Sequence, residues 1–152
     1  MNKKELRQEI RRRIALLDAS EKQLASDAVC RQIAESDVWQ KAGKVLLYEA
    51  LPDEISLQQL IRMAQLEGKK VLMPEPTADA EPLSGLEDTD LAIIPGRAFT
   101  ESGARMGRGK GYYDRMLKDL TCPKIGVAFR CQLVDDLPTD SWDIPMDEVV
   151  LG

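Results

Sequence analysis

At 152 residues the chain has the length of one domain, which we expect to span residues 1–152, and a domain of this size folds without disulfides or metals. The composition is 43% hydrophobic and 31% charged, with a formal net charge of −5 that argues against an evenly basic nucleic-acid surface. Because the chain contains no histidine, Ser-His-Asp hydrolysis, histidine-ligated zinc and histidine acid–base chemistry are excluded.

Two amphipathic helices are predicted at the start of the chain. The apolar positions of the first recur at helical spacing: Leu6, Ile10, Ile14 and Leu17. Lys3, Arg7 and Arg11 recur every four residues on a neighbouring stripe. Ser20 followed by Gln23 resembles a capping box and predicts the start of the second helix. Its apolar positions are Leu24, Ala28, Val29 and Ile33.

Apolar runs of strand length alternate with further helices. They predict buried strands at residues 44–50 and 91–94, further strands at 70–74 and 124–129, and a fifth strand at an edge of the sheet at residues 148–151. Asp53 is predicted to cap a helix that ends at Gly68. The core positions of that helix are Leu57, Leu60, Ile61 and Ala64. A short helix is predicted at residues 112–120, after a long loop.

This alternation predicts an α/β fold with a mostly parallel, Rossmann-like sheet and helices on both faces. In such folds ligands bind outside the carboxyl ends of the strands. Three segments are therefore expected at one site: the residues after position 50, the loop at 95–111 and the loop after position 129.

The segment at 95–115, PGRAFTESGARMGRGKGYYDR, carries the densest chemistry. Its glycines at 107, 109 and 111 allow backbone N–H groups to converge on an anion. Arg105, Arg108 and Lys110 supply positive charge, and the helix starting near residue 112 adds its dipole. Tyr112 and Tyr113 offer flat surfaces to a ring system, and Asp114 could hold Mg²⁺ shared with phosphate oxygens.

These residues match neither common phosphate-binding template. Gly111 stands where a Walker A loop has Ser or Thr, and the spacing differs from the dinucleotide G-x-G-x-x-G. A Gly-rich loop can also simply turn a corner. The density of glycines, cations, tyrosines and an aspartate after a buried strand nevertheless favours a site for a nucleoside triphosphate.

Several other residues leave two interpretations open. Lys3 and Arg7 either reach the same phosphates or belong to a solvated helix face, and the basic run through Arg13 also fits a nucleic-acid arm. Glu54 either binds N–H groups of a ligand or caps a helix. Asp143 and Asp147 either bind a metal or sit in turns. The two tryptophans, Trp39 and Trp142, are expected to pack rather than to stack on a ligand.

The cysteines and the N-terminus indicate the compartment. Cys30, Cys122 and Cys131 show no C-x-x-C spacing, and an odd number favours a reduced, cytoplasmic protein. The N-terminus is charged, so no signal peptide is expected, and no stretch approaches the length of a membrane span. We expect a monomer without nucleic-acid or membrane partners.

Several segments, taken in order, resemble the 5-formyltetrahydrofolate cyclo-ligase (methenyltetrahydrofolate synthetase) family. Lys3-x-x-Leu6-Arg7 is similar to its K-x-x-L-R start, Glu54 in DEISLQQLI to its E-V-D-T segment, and Pro74 to its proline after the next strand. DLAIIPGRAFTESGARMGRGKGYYDR closely resembles the family's long central motif. IGVAFRCQLVDDLPTDSWDIPMDEVV resembles its closing motif.

The resemblance implies a three-layer α/β sandwich and a role for each matching residue. The ATP site would be formed by Lys3, Arg7, Arg105, Gly107, Arg108, Gly109, Lys110, Gly111, Tyr112 and Tyr113. The reduced folate would contact Glu49, Glu54, Arg108, Gly109, Lys110, Gly111 and Tyr112. Asp114 and Asp143 would be the Mg²⁺ ligands, and Lys110, Arg108 and Tyr113 the catalytic residues.

The implied reaction is ATP-dependent closure of 5-formyltetrahydrofolate to 5,10-methenyltetrahydrofolate, with release of ADP and phosphate. Three features depart from the family pattern: the stretch between Pro74 and Asp90 is short, Thr100 replaces a common Asp, and Trp142 replaces a common His or Asn. They make a more open folate pocket an alternative, in which the chain is an ATP-dependent kinase or ligase for another small molecule. A non-catalytic module that binds folate, nucleotide or RNA is the third hypothesis.

Overall fold

A computed structural model of the chain describes residues 1–74, 85–109 and 111–152. Its helices are α1 (Lys3–Ala15), α2 (Ala19–Ala34), α3 (Asp37–Lys41), α4 (Gln58–Leu66) and α5 (Tyr112–Leu117). Its strands are β1 (Lys44–Leu46), β2 (Lys70–Leu72), β3 (Leu91–Ile94), β4 (Ala98–Phe99), β5 (Arg105–Met106), β6 (Lys124–Ala128) and β7 (Glu148–Leu151). A short 3₁₀ helix, Arg130–Gln132, follows β6.

Five of these strands form one parallel sheet in the order β2-β1-β3-β6-β7. The strand β7 lies at an edge, as the sequence predicts. The strands β4 and β5 form a separate antiparallel pair, with Phe99 opposite Arg105. This pair follows β3 immediately, at the carboxyl end of the sheet.

The side chains of the sheet alternate between two apolar clusters, one on each face. Val45 and Ile93 pack in the cluster that contains the buried faces of α1, α2 and α4, whereas Leu46 and Ile94 pack in the other. The second cluster also contains Met116 and Leu117 of α5, Phe99 of β4 and Met146. Helix, sheet and helix therefore form three layers, which confirms the predicted α/β sandwich with a parallel sheet.

The local predictions differ from the structure at several ends. The strand predicted at 44–50 ends at Leu46, although the Leu47 N–H still donates to the Leu72 carbonyl at 2.9 Å. Its neighbour β2 ends at Leu72, so Leu47 makes the last such bond before the chain turns away. The helix predicted at 112–120 ends at Leu117, and the predicted strands at 70–74 and 124–129 end at Leu72 and Ala128.

Two predicted helix caps are wrong. Asp18, not Ser20, caps α2, because the Asp18 carboxylate accepts the Glu21 N–H at 2.7 Å and Glu21 accepts the Asp18 N–H in return. Asp53 does not cap α4, since the structural N-cap is Leu57 without a side-chain bond. The predicted end of α4 at Gly68 is confirmed: the helix stops at Leu66 and Gly68 adopts a φ of 75°.

None of the helices within the described residues combines the length and hydropathy that crossing a membrane requires.

Candidate active site

A cavity of about 570 Å³ lies outside the carboxyl end of the parallel sheet. Its walls come from the segments that follow β1, β3 and β6, as the alternation of strands and helices predicts. The residues around Glu49 follow β1, Pro95 and Gly96 follow β3, and Asp143 belongs to the loop between β6 and β7. The N-terminal helix α1 adds Lys3 and Arg7 to the wall. Cavities of this size are typical of small-molecule sites.

The cavity gathers every predicted site residue that the structure describes. They are Lys3, Arg7, Glu49, Glu54, Arg105, Gly107, Arg108, Gly109, Gly111, Tyr112, Tyr113, Asp114 and Asp143. The remaining predicted site residue, Lys110, lies outside the described residues, and so does most of the short segment between Pro74 and Asp90.

The glycines of the Gly-rich segment allow arginines to pack against the backbone. A Cβ on Gly109, whose φ is 100°, would lie 3.3 Å from the Arg7 guanidinium carbon. A Cβ on Gly107 would lie 3.2 Å from a guanidinium nitrogen of Arg105. Arg7 also donates from Nε to the Gly107 carbonyl at 3.0 Å. The glycines at 107 and 109 therefore leave room for the guanidinium groups of Arg105 and Arg7 to pack closely against the loop.

Arg105 is a buried cation in the cavity wall. Its Nε donates to the Pro95 carbonyl at 2.8 Å, and its guanidinium lies 5.1 Å from the centre of the Tyr113 ring. Within the described residues its nearest carboxylate contact, to Asp114, is long at 3.9 Å. Burial lowers the pKa of Arg105, and the charge of Asp114 opposes that shift. A buried guanidinium with so distant a counter-ion favours the binding of an anion.

Three tyrosines line the cavity: Tyr48 is buried, and Tyr112 and Tyr113 are half-buried. Burial is the main reason that the pKa values of Tyr48 and Tyr113 rise above their usual range. The Tyr48 hydroxyl donates to the Ile55 carbonyl at 2.7 Å, which fixes the segment after β1. Tyr112 and Tyr113 pack edge to face with ring centres 5.5 Å apart. Because their pKa values are raised, the phenols of Tyr48 and Tyr113 stay protonated at neutral pH. Each can therefore donate a hydrogen bond but cannot act as a base.

Lys3 joins the start of the chain to the loop before β7. Its ammonium group contacts the Asp140 carboxylate at 2.5 Å and that of Asp143 at 3.5 Å. The hydrogen bond to Asp140 is the main reason that the pKa of Lys3 is raised. Asp143 also accepts the Asp140 N–H at 2.7 Å. The two carboxylates and the ammonium group thus form one polar cluster at the cavity wall.

Asp147 lies apart from this cluster. Its carboxylate accepts the Lys124 N–H at 2.8 Å, where it supports the start of β6, and it does not line the cavity in the described part of the chain. Both interpretations of Asp147 that the sequence leaves open stay open, but its observed contact is with the start of β6. Asp143 instead faces the cavity.

The acidic side of the cavity comes from the segment after β1. Glu54 accepts the Leu51 N–H at 2.9 Å and lies 3.5 Å from an Arg108 guanidinium nitrogen. Asp53, expected as a helix cap, instead binds Arg97 and Arg108. Glu49 is exposed at the cavity wall. The predicted pterin-binding and phosphate-binding residues are therefore adjacent.

The donor set fits the Mg²⁺ ion that the resemblance implies. Asp114, Asp140 and Asp143 line the cavity, and carboxylates are among the hard oxygen donors that Mg²⁺ prefers. Within the described residues, no three such side chains are grouped closely enough to hold a metal by themselves. Proteins usually bind Mg²⁺ through one or two carboxylates together with substrate phosphates and water.

Within the described part of the chain, the cavity is also lined by eight residues that were not predicted as site residues: Tyr48, Leu51, Pro74, Pro95, Gly96, Met106, Asp140 and Trp142. Asp140 lies three residues before Asp143, so its acidic spacing was the available signal. Trp142 also lines the cavity, and 66% of its surface is exposed. The expectation that it packs is wrong, because most of its surface is exposed. Trp39 is completely buried, as expected.

Comparison with known proteins adds a family to this geometry. A sequence model described as the 5-formyltetrahydrofolate cyclo-ligase family matches residues 1–84 and 75–152. The 5-formyltetrahydrofolate cyclo-ligase of Escherichia coli K12 is 30% identical over 171 residues, covering 91% of this chain and 93% of that protein. That of Haemophilus influenzae is 26% identical over 182 aligned residues, covering 99% and 97%. The latter alignment is longer than this chain, so this chain is the shorter partner.

Solved structures agree in fold over nearly the whole chain. The 5,10-methenyltetrahydrofolate synthetase of Aquifex aeolicus superposes with a TM-score of 0.84 at 32% identity, covering 99% of this chain and 90% of that one. The synthetase of Mycoplasma pneumoniae superposes with a TM-score of 0.85 at 26% identity, covering 98% of each chain.

Proposed function

The chain belongs to the 5-formyltetrahydrofolate cyclo-ligase family, and from this premise we propose that it catalyses the ATP-dependent cyclisation of 5-formyltetrahydrofolate to 5,10-methenyltetrahydrofolate. ADP and phosphate are the other products.

The observation that carries this proposal is the contact between Arg108 and Glu54 at the cavity wall, 3.5 Å between nitrogen and oxygen. Arg108 belongs to the Gly-rich segment, whose cations suit the phosphates of ATP. Glu54 belongs to the segment after β1, whose carboxylate suits the N–H groups of a reduced pterin. Transfer of a phosphoryl group between two bound substrates requires that their sites adjoin.

A formyl amide is a poor electrophile, so the proposed reaction activates it first. The formyl oxygen attacks the γ-phosphorus, the bond from phosphorus to ADP breaks, and ADP leaves. N10 then attacks the activated carbon, and the bond from carbon to the phosphorylated oxygen breaks. Phosphate leaves with that oxygen, and N10 gives up its proton to solvent or phosphate. Most of this catalysis is positioning and charge neutralisation, which needs no histidine.

Each group of residues has a proposed role in these steps. Lys3, Arg7 and Arg105 bind ATP phosphates, while Glu49 and Glu54 bind the pterin. Arg108, with Lys110, neutralises charge at the transferred phosphoryl group, and Tyr113 donates a hydrogen bond from its protonated hydroxyl. The glycines at 107, 109 and 111, together with Tyr112, form the loop surface that both substrates contact.

Asp114 and Asp143 are the proposed ligands of Mg²⁺, with Asp140 beside them. When bound, the ion would neutralise negative charge on the ATP phosphates. Lys3 lies against Asp140 and Asp143, so it balances the charge of these carboxylates within the protein. We also propose that the protein acts as a monomer in the cytoplasm without nucleic-acid or membrane partners. Light scattering tests whether it is a monomer, and a salt-dependent RNA titration tests whether it binds nucleic acid.

The test of the activity is absorbance in the methenyl-folate band, with purified protein, MgATP and 5-formyltetrahydrofolate. We expect the band to grow only when all three are present, with one ADP released per product. Release of ADP without growth of the band would assign the ATP site to another substrate. Binding of both ligands without either product would leave a binding module and contradict the proposed enzyme.

A first variant, Lys110→Ala, tests the assignment of the ATP site. We expect it to lower kcat/KM for ATP at least tenfold without loss of folding, because the sequence places this lysine in a loop between two glycines. Lys118→Ala, an exposed lysine beyond α5, is the matched control and should retain wild-type activity. If Lys110→Ala is unfolded by circular dichroism, its assignment as a phosphate-binding loop residue is wrong.

A further inference from the structure

The Arg108 guanidinium is held by carboxylates of a distant segment. Its Nη2 donates to Asp53 at 2.6 Å and lies 3.5 Å from Glu54. Arg108 stands between Gly107 and Gly109, and glycine neighbours leave the loop backbone few conformational restrictions of its own. The direction of this guanidinium is therefore set by its contacts with the segment after β1.

Asp53 is in turn bound by a second arginine, Arg97. One carboxylate oxygen of Asp53 accepts from Arg97 and the other from Arg108. Arg97 is only 5% exposed, and its own backbone is fixed on both sides: its N–H donates to Met106 at 2.7 Å and its carbonyl accepts from Gln132 at 3.0 Å. The position of Asp53 thus follows that of a rigid, buried arginine.

Asp53 stays outside the cavity that Arg108 and Glu54 line, as far as the described residues show. It contacts the cavity-lining residue Arg108, through which it acts on the site. Burial raises the pKa of Asp53, but the hydrogen bonds from Arg97 and Arg108 outweigh this effect and lower the pKa overall. The carboxylate is therefore charged at neutral pH.

We propose that Asp53 is a positioning residue, which anchors Arg108 and keeps it from closing onto Glu54. The proposal rests on the function proposed above. Arg108 has two carboxylates within reach and a shorter contact with Asp53 than with Glu54. Without the charge of Asp53, the guanidinium moves to Glu54. It then leaves the phosphoryl group and also occupies the carboxylate that binds the pterin.

The test is a double-mutant cycle of Asp53→Asn with Arg108→Lys, measured as kcat and as KM for 5-formyltetrahydrofolate. Asn keeps the size and one acceptor of Asp but removes its charge. We expect Asp53→Asn to lower kcat/KM at least tenfold, with a raised KM for the folate. The factor by which Arg108→Lys lowers kcat/KM should then be at least threefold smaller in the Asp53→Asn background than in the wild type. Asp136→Asn, an exposed aspartate of another loop, is the control and should match the wild type.

A second readout does not need activity. In Asp53→Asn, the rate at which phenylglyoxal modifies Arg108, followed by mass spectrometry, should differ from that in the wild type and in Asp136→Asn. If Asp53→Asn fails to fold because Arg97 is left unpaired, the same cycle uses Asp53→Glu, whose charge still pairs with Arg97 but whose extra methylene moves the carboxylate from its present position against Arg108.

Two results would overturn the inference. Additive effects on kcat/KM, with an unchanged labelling rate of Arg108, would leave Asp53 as a structural partner of Arg97 alone while the proposed function stands. A wild-type protein that forms no methenyl product would overturn the proposed function, and with it the part of Asp53 in that reaction.

Discussion

At the scale of single residues, Gly103 shows how backbone contacts set the site. It lies between β4 and β5 with a φ of 100°, and a Cβ there would come within 2.2 Å of the Met146 carbonyl oxygen. The Met146 N–H donates to the Gly103 carbonyl at 2.7 Å. The turn of the β4–β5 pair is therefore bonded directly to the loop that carries Asp143.

Gly103→Ala is expected to lower the free energy of unfolding by about 2 to 4 kcal/mol, from backbone strain together with overpacking against a carbonyl. Gly68→Ala is the matched control, since Gly68 also has a positive φ of 75° but nothing within 4 Å of an added Cβ. That change should cost only about 1 kcal/mol. Urea unfolding measures both, and equal losses would contradict the packing argument.

At the scale of elements, α1 divides its basic residues between two surfaces. Leu6, Ile10 and Ile14 are buried in the core, while Lys3 and Arg7 reach the cavity. On the outer surface Arg12 and Arg13 both donate to Glu9, at distances of 2.7 to 3.1 Å. The N-terminal run of positive charge is therefore largely occupied by the site and by an internal ion pair, which counts against its interpretation as a nucleic-acid arm.

The Glu9 cluster predicts a pH dependence of stability. Hydrogen bonds from Arg12 and then Arg13 lower the pKa of Glu9 from 4.5 to about 2. Because the folded pKa is depressed, the contribution of Glu9 is fully present above pH 4.5 and is lost as the pH falls toward about 2.

Urea unfolding of wild type and Glu9→Gln across this range should show a difference in stability that shrinks with falling pH. Since the cluster is exposed, added salt should also reduce the difference in stability between the wild type and Glu9→Gln. A difference that stays constant from pH 4.5 to about 2 would contradict the assigned pKa.

At the scale of the whole molecule, the site is closed by contacts between segments far apart in the chain. Lys3 meets Asp140, Arg7 meets Gly107, and Asp53 meets Arg97. A ligand that binds these segments together binds only the folded chain. Its binding free energy therefore adds to the stability of the whole domain.

MgATP is expected to raise the free energy of unfolding, by about 2.7 kcal/mol at a concentration one hundred times its Kd. Arg7→Ala should reduce this gain more than it changes the stability of the free protein. The control is Arg11→Ala, an exposed residue of the same helix. Thermal or urea unfolding with and without MgATP measures the gain, and an equal gain in the two variants would contradict the placement of Arg7 at the phosphates.

Much of the fold and of the site could be predicted from local patterns. The apolar stripe of α1, the buried strands and the αL glycine after α4 depend on neighbours a few residues away, so a short window of sequence contains the information. The β4–β5 pair and the five-residue helix α3 were not predicted from the sequence, because elements of two to five residues are too short for periodicity to be detected.

By itself the sequence determined the order of elements, the edge of the sheet at which the cavity lies, and which charged residues collect there, since strand direction brings the carboxyl ends of parallel strands together. Only the tertiary structure decided how these charges pair. Asp53 accepts hydrogen bonds from two arginines instead of capping a helix. Asp147 supports β6 while Asp143 lines the cavity, and Trp142 stays exposed. Such choices depend on distances between segments that lie far apart in the chain, and those distances are fixed only when the two apolar clusters pack against the sheet.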